Sequence, residues 1–110
     1  MKRDQSFHDY VVYDLLGDVS NIKSKAMFSG WGIYKDGIIF GIIAEGQLYF
    51  KVDGNNLYDF KEFGSHPFVY PRKDNKSVTM SYWLVTEEVM DNRDKLYDLV
   101  EKSVSASSNR

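Results

Sequence analysis

The stretch IIFGIIA, Ile38 to Ala44, constrains the fold of this chain more than any other. It carries no polar side chain, it is short, and a turn dipeptide stands at each end, Asp36-Gly37 before it and Glu45-Gly46 after it. Asp-Gly pairs accept the positive φ that a two-residue hairpin demands, so the run reads as the middle strand of an antiparallel meander. The strand before it is expected over Ala26–Lys35 and the strand after it over Gln47–Val52. In the latter, Leu48, Phe50 and Val52 alternate with the wetter Gln47, Tyr49 and Lys51. A strand with one face in water should alternate in the same way, and Ile38–Ala44 does not. Strict alternation would send Ile39, Gly41 and Ile43 to one face and Ile38, Phe40, Ile42 and Ala44 to the other. Both faces are apolar, so both call for cover.

The remaining segments supply helices and two further strands. RDQSFHDYVVYDLLGDV has Phe7, Tyr10, Val11 and Leu15 at helical spacing, Asp4 or Ser6 as N-cap and Gly17 as stop. SNIKSK is polar and reads as a loop. DGNNLYDFKEFG suits a short helix capped by Asp53 or Asn55, with Leu57 and Phe60 on one face and Gly64 at its end. HPFVYPR reads as a fourth strand, which Pro67 and Pro71 confine to an edge. Asp74-Asn75 turns the chain into a fifth strand, KSVTMSYWLV, with Val78, Met80, Tyr82 and Leu84 on one face and Thr79, Ser81 and Trp83 on the other. DNRDKLYDLVEKSV is a final helix, Asp91 its N-cap and Leu96, Leu99, Val100 and Val104 its inner stripe; SASSNR reads as a frayed tail. The order α-β-β-β-α-β-β-α implies an α+β fold, a five-stranded antiparallel sheet with helices packed on it. Residues 1–104 are expected to form a single domain and 105–110 a flexible tail.

Composition removes several function classes. At 110 residues the chain is long enough to bury a proper core, and a formal net charge of −2 gives no bulk attraction to nucleic acid or acidic membranes. Without cysteine there are no disulfides, thiolate nucleophiles or Cys-ligated zinc. No apolar segment follows Lys2 and Arg3 as in a secretory signal, and none is long enough to span a bilayer, so a cytoplasmic location without membrane contact is expected.

Candidate chemistry is sparse. Gly30-Trp31-Gly32 lacks the following helix and lysine of a phosphate loop and reads as a strand glycine pair that admits a close neighbour. His8 and His66 are too few for a metal site and read as solvated. Serines are plentiful enough for a Ser-His-acid set, but no nucleophile-elbow sequence accompanies them. Asp59, Glu62, Glu87, Glu88 and Glu101 read as solvated helix faces. No catalytic residue, cofactor or metal ligand is assigned. Two surfaces stand out. Trp31, Tyr34, Tyr49 and Trp83 supply the aromatic material of an interface centre, for a homodimer or another protein. Tyr70, Arg72, Lys73 and Lys76 form a basic hairpin that could hold single-stranded nucleic acid, although near-neutral total charge favours a soluble hairpin tip.

KAMFSGWGIYKDGIIFGIIAEGQLYFKVD, followed by PFVYPRKDNKSVTMSYWLV, resembles the TfoX N-terminal domain family across almost the whole chain. The family blocks run MFGG-G-Y-DG, MFA-I-dG-LYLKVD, PF-Y-R and MSYY-vP. The matches include Met27, Phe28, Gly30, Gly32, Tyr34, Asp36, Gly37, Phe40, Gly46, Leu48, Tyr49, Lys51, Val52, Asp53, Phe60, Gly64, Pro67, Phe68, Tyr70, Arg72, Met80, Ser81 and Tyr82. Ser29 replaces a family glycine, and Thr86 stands where proline is common. The resemblance implies a two-layer sandwich of the secretion-chaperone-like type and a regulator linked to natural competence, without catalytic residues. In that family a second, helical domain often follows. Of the shared positions, Phe28, Phe40, Leu48, Val52 and Met80 read as core. Tyr49, Lys51, Arg72 and Tyr82 are least explained by packing. The expected function is therefore a non-enzymatic regulatory or adaptor domain acting by protein contact, with a nucleic-acid module or a small-ligand binder as the competing readings.

Overall fold

A computed structural model of the chain describes residues 4–27, 29–71 and 77–108. The elements are α1 (Gln5–Asp9), a π-helical segment (Tyr10–Leu15), β1 (Ile22–Met27), β2 (Gly30–Lys35), β3 (Ile38–Ala44), β4 (Gln47–Lys51), α2 (Leu57–Glu62), β5 (Pro67–Pro71), β6 (Ser77–Leu84), α3 (Glu87–Met90) and α4 (Arg93–Ser108). The strands form one antiparallel sheet in the order β1-β2-β3-β4-β6-β5. The sheet therefore has six strands rather than five.

The additional strand is β1, which lies largely in the stretch expected to be a loop. Its centre, Lys23, Ser24 and Lys25, is polar because the strand is an edge. Lys23 and Lys25 point out on one side while Ser24 and Ala26 pair with Ile33 and Trp31. Asn21, at φ 61°, starts the strand and donates from Nδ2 to Asp36 Oδ1 at 2.6 Å, tying it to the β2–β3 turn. Both expected hairpin turns form, with Asp36-Gly37 at φ 52° and 80° and Glu45-Gly46 at 55° and 73°.

The register of β3 departs from strict alternation. Ile33 pairs with Gly41 and the next residue, Tyr34, with Ile39, so Phe40 is one residue too many. The bulge turns Phe40 inward beside Gly41 and sends Ile39 outward. Phe40 is fully buried and its ring meets Phe50 at 5.4 Å. The inner face is the set Trp31, Ile33, Phe40, Ile43, Leu48, Phe50 and Trp83. Val11 and Leu15 from the π segment, Phe60 from α2, Val89 from α3, and Leu96, Leu99 and Val100 from α4 pack on the same core. All the helical elements thus cover one face.

The helices also differ from expectation in detail. Asp4 caps α1 as expected, its Oδ1 accepting from Phe7 N at 3.0 Å. From Tyr10 the helix widens, and Leu16 N bonds Val11 O at 2.9 Å, an i to i+5 step. The extra residue in the turn leaves Tyr10 exposed, while Val11, Leu15 and Leu16 face the core. Asn92, not Asp91, caps α4 through Lys95 N at 3.1 Å, and Asp91 closes the short α3. Residues 105–108, expected to be tail, continue α4, with Ala106 buried.

Candidate interaction face

Among the described residues no helix lies on the other face of the sheet. Register places Lys23, Lys25 and Met27 of β1, Tyr34 of β2, Ile39 and Ile42 of β3, Tyr49 and Lys51 of β4, and Met80, Tyr82 and Leu84 of β6 on it. Phe68 and Tyr70 of β5 complete it. Within this slab the side chains shield one another. A Cβ at Gly32 would lie 3.0 Å from Ile39 Cδ1 and 3.2 Å from both Met27 Cε and Tyr34 Cε1, so those three close over the glycine. The Tyr49 ring stands 5.0 Å from that of Phe68, and Tyr49 is only 4% exposed. The slab is not sealed, however. Met80 is 37% and Tyr70 42% exposed.

Electrostatics follow from this packing. Burial, with the charge of Glu45 beside it, pushes the Tyr49 hydroxyl above the usual tyrosine range; that hydroxyl donates to Gln47 Oε1 at 3.0 Å. Burial, aided by Tyr34, does the same to Tyr82, and the Lys51 ammonium lies 5.4 Å from the Tyr82 ring centre.

The predicted site residues divide. Tyr34, Tyr49, Lys51, Tyr70 and Tyr82 share the outer face. Trp31 and Trp83 do not: register turns both inward, where Trp31 lies under α1, its ring 4.5 Å from His8, and Trp83 packs at the margin of the core. Arg72 and Lys73, with Lys76 and the Asp74-Asn75 turn, lie outside the described residues. Met80 is surface rather than core, and Phe28 lies outside the described residues.

Two readings of polar residues need correction. His8 is buried, not solvated. Its Nδ1 lies 2.8 Å from Asp9 Oδ1 and its Nε2 2.7 Å from Ser24 Oγ, so the imidazole bridges the carboxylate and the hydroxyl. The hydrogen bond from His8, then that from Gln5, holds the Asp9 carboxyl below its usual range. The connectivity is that of a Ser-His-Asp relay, but Trp31 covers the ring. Two surface depressions, of about 390 and 200 Å³, are lined by Asp4, Ser29, Gly30, Trp31, Ile43, Glu45 and Gly46, and by Asp53, Asn55, Glu101, Lys102 and Ser105. Neither of these two includes His8 or Ser24, and the pair fastens α1 to β1. Asp59 is likewise paired rather than solvated, receiving Lys95 Nζ at 2.9 Å and Lys102 Nζ at 3.1 Å across α2 and α4. Among the described residues no group of three or more His, Asp or Glu could hold a metal ion, and no helix is long and apolar enough to cross a membrane.

Comparison with known families settles the lineage. The TfoX N-terminal domain matches residues 14–107. This chain belongs to that family. Among curated proteins, protein Sxy of Escherichia coli strain K12 is 27% identical over 101 residues, covering 89% of this chain and 46% of Sxy. DNA transformation protein TfoX1 of Aliivibrio fischeri strain ATCC 700601 / ES114 is 23% identical over 95 residues, covering 86% of this chain and 45% of TfoX1. The chain thus spans less than half the length of each of these relatives.

The family motif acquires a physical reading in this TfoX domain. A Cβ at Gly30 would sit 1.9 Å from the carbonyl oxygen of Ile43, so the glycine pair serves strand packing and not phosphate. Thr86, at the proline position, accepts Val89 N at 3.4 Å and starts α3. Sequence reasoning missed Asn56, which is fully buried. Its Oδ1 accepts Asp53 N at 2.8 Å and its Nδ2 donates to Lys51 O at 3.0 Å and Ser103 Oγ at 3.5 Å, joining β4, α2 and α4. An asparagine in DGNN looks like turn chemistry, and nothing local signals that it is covered.

Proposed function

We propose that this TfoX-family chain is a non-enzymatic regulatory or adaptor domain that works by protein–protein contact through the outer face of its sheet. One observation carries the reading: a six-stranded sheet with every helix on one side leaves Tyr34, Ile39, Ile42, Tyr70, Met80 and Tyr82 on the other. Exposed apolar side chains gathered on one sheet face, here Tyr70 and Met80 with half-buried Tyr34, Ile39, Ile42 and Tyr82 around them, have the character of an interaction site, and aromatic residues with methionine are the side chains enriched at the centres of such sites. The His8–Ser24 pair and the two depressions supply no competing chemistry of comparable strength. The name DNA transformation protein, carried by TfoX1, makes regulation of competence genes the proposed setting, inside the cytoplasm. Both a second copy and another protein are occupants to be distinguished.

Site-specific photo-crosslinking in the native cell tests the reading. A benzophenone side chain placed at Tyr70 or Met80 is expected to capture a discrete protein. The same group at Tyr58, 72% exposed on α2 in the helical layer, is expected to capture none. Adducts confined to the Tyr58 position would reject the sheet face as the working surface.

A further inference from the structure

The six strands contain four charged residues, Lys23, Lys25, Lys35 and Lys51, and no aspartate or glutamate. The whole chain has 16 acidic and 14 basic residues. Among the described residues every acid therefore lies in a helix, turn or loop, and the charge of the strands is only positive. Lys35 stands at the inner side of the sheet end and pairs with Asp36 at 3.3 Å. The other three point outward. Lys23 and Lys25 mark the β1 edge of the outer face and Lys51 lies over Tyr82 further across. Among the described residues no acid is paired with any of these three. The turn residue Glu45, beside Tyr49, marks one rim.

Resting on the protein-contact reading above, we infer that the outer face takes an apolar segment bearing aspartate or glutamate at its margins, supplied by a different protein. A sheet face docked on its own copy would set lysines against strands that carry no acid, with Glu45 at one rim the single described acid to answer three cations per subunit. Complementary potentials are what steer and register an interface, and like charges across it cost several kcal/mol. Single-stranded nucleic acid meets the charge requirement but not the shape. Bases bind by stacking on rings, whereas Met27, Ile39, Ile42, Met80 and Leu84 interrupt the tyrosines with aliphatic side chains. An apolar centre with a cationic rim matches a peptide with an apolar centre and an anionic rim.

Selection of a random 16-residue peptide library on the folded chain tests this, read by fluorescence anisotropy of the enriched peptides. The expected winners combine apolar residues with Asp or Glu. Their affinity should fall at least about tenfold in Lys23→Glu/Lys25→Glu/Lys51→Glu, and should weaken as salt rises. Thermal melting of the triple variant verifies that it folds. Winners that are neutral or basic, or indifferent to the charge reversal, would overturn the acidic-partner inference while leaving protein contact standing. No enrichment over a Tyr70→Ser/Met80→Ser variant would overturn both. Tighter binding of a twenty-residue oligothymidylate than of any peptide would replace the peptide with nucleic acid. Self-association in sedimentation that the triple charge reversal leaves unchanged would replace it with a second copy.

Discussion

His8 Nε2 and Ser24 Oγ lie 2.7 Å apart, the bond by which α1 is fastened to the edge strand β1. The imidazole is pressed on Trp31 and oriented by Asp9, so its nitrogens have no water to turn to if either partner is lost. His8→Ala is expected to destabilise the fold by about 1–3 kcal/mol, because it strands a partly buried hydroxyl and opens space against Trp31. Ser24→Ala should cost about 1 kcal/mol and couple to His8→Ala in a double-mutant cycle. Urea denaturation gives both values. Hydrolysis of p-nitrophenyl acetate should be the same with and without Ser24; a loss of hydrolysis in Ser24→Ala would turn the pair into a catalytic one.

Asp59 gives the clearest pH dependence. Burial pushes its carboxyl up, but hydrogen bonds from Lys95 and Lys102, with their charges, outweigh burial and hold it below the ordinary value of 3.8. The hydrogen bonds that Lys102 donates to Asp59, then to Asp98, correspondingly raise the Lys102 ammonium. With the folded pKa depressed, the unfolded chain binds the proton first as pH falls, so the contribution is complete above 3.8 and fades as pH drops through the lower folded value. Asp59→Asn should cost about 1 kcal/mol at neutral pH. The gap between the two proteins in urea midpoint should close as acid is added below pH 3.8. A gap constant from pH 6 to pH 2 would mean the ion pairs contribute nothing.

Asn56 holds three elements from a fully buried site. Asn56→Ala leaves the Asp53 amide and the Lys51 carbonyl without their side-chain partners, and about 2–3 kcal/mol of stability should go with them. Asn56→Asp should be no rescue, since a carboxylate cannot donate to Lys51 O and its charge would be buried. Chemical denaturation of the two variants checks both statements.

Gly30→Ala should be the most damaging small substitution in the sheet. Its methyl would lie 1.9 Å from Ile43 O, and backbone, unlike a flexible side chain, cannot yield without breaking the β2–β3 register. A loss of about 3 kcal/mol or more, or failure to fold, is expected, measured by circular dichroism.

The meander, its two hairpin turns and the alternation of β4 were written in local sequence, because turn chemistry and a two-residue period need no distant partner. The period within each strand was legible too, but it took the register between strands to bring Tyr34, Tyr49, Tyr70 and Tyr82 onto one face and to part them from Trp31 and Trp83. The TfoX resemblance, carried by spaced glycines and aromatics, was legible for the same reason. Tertiary structure decided the rest. It made a strand of the lysine-rich Ile22–Met27, since an edge strand is polar where it meets water and becomes a strand only by pairing with β2. It placed the Phe40 bulge, which depends on register against Ile33 and Tyr34, and so reversed Ile39 and Phe40. It turned Trp31 and Trp83 inward, buried His8 and Asn56, and put all four strand lysines in a sheet without acid. Each of these depends on which neighbour covers a residue, and cover is a property of the assembled layers, whereas period and turn belong to the chain alone.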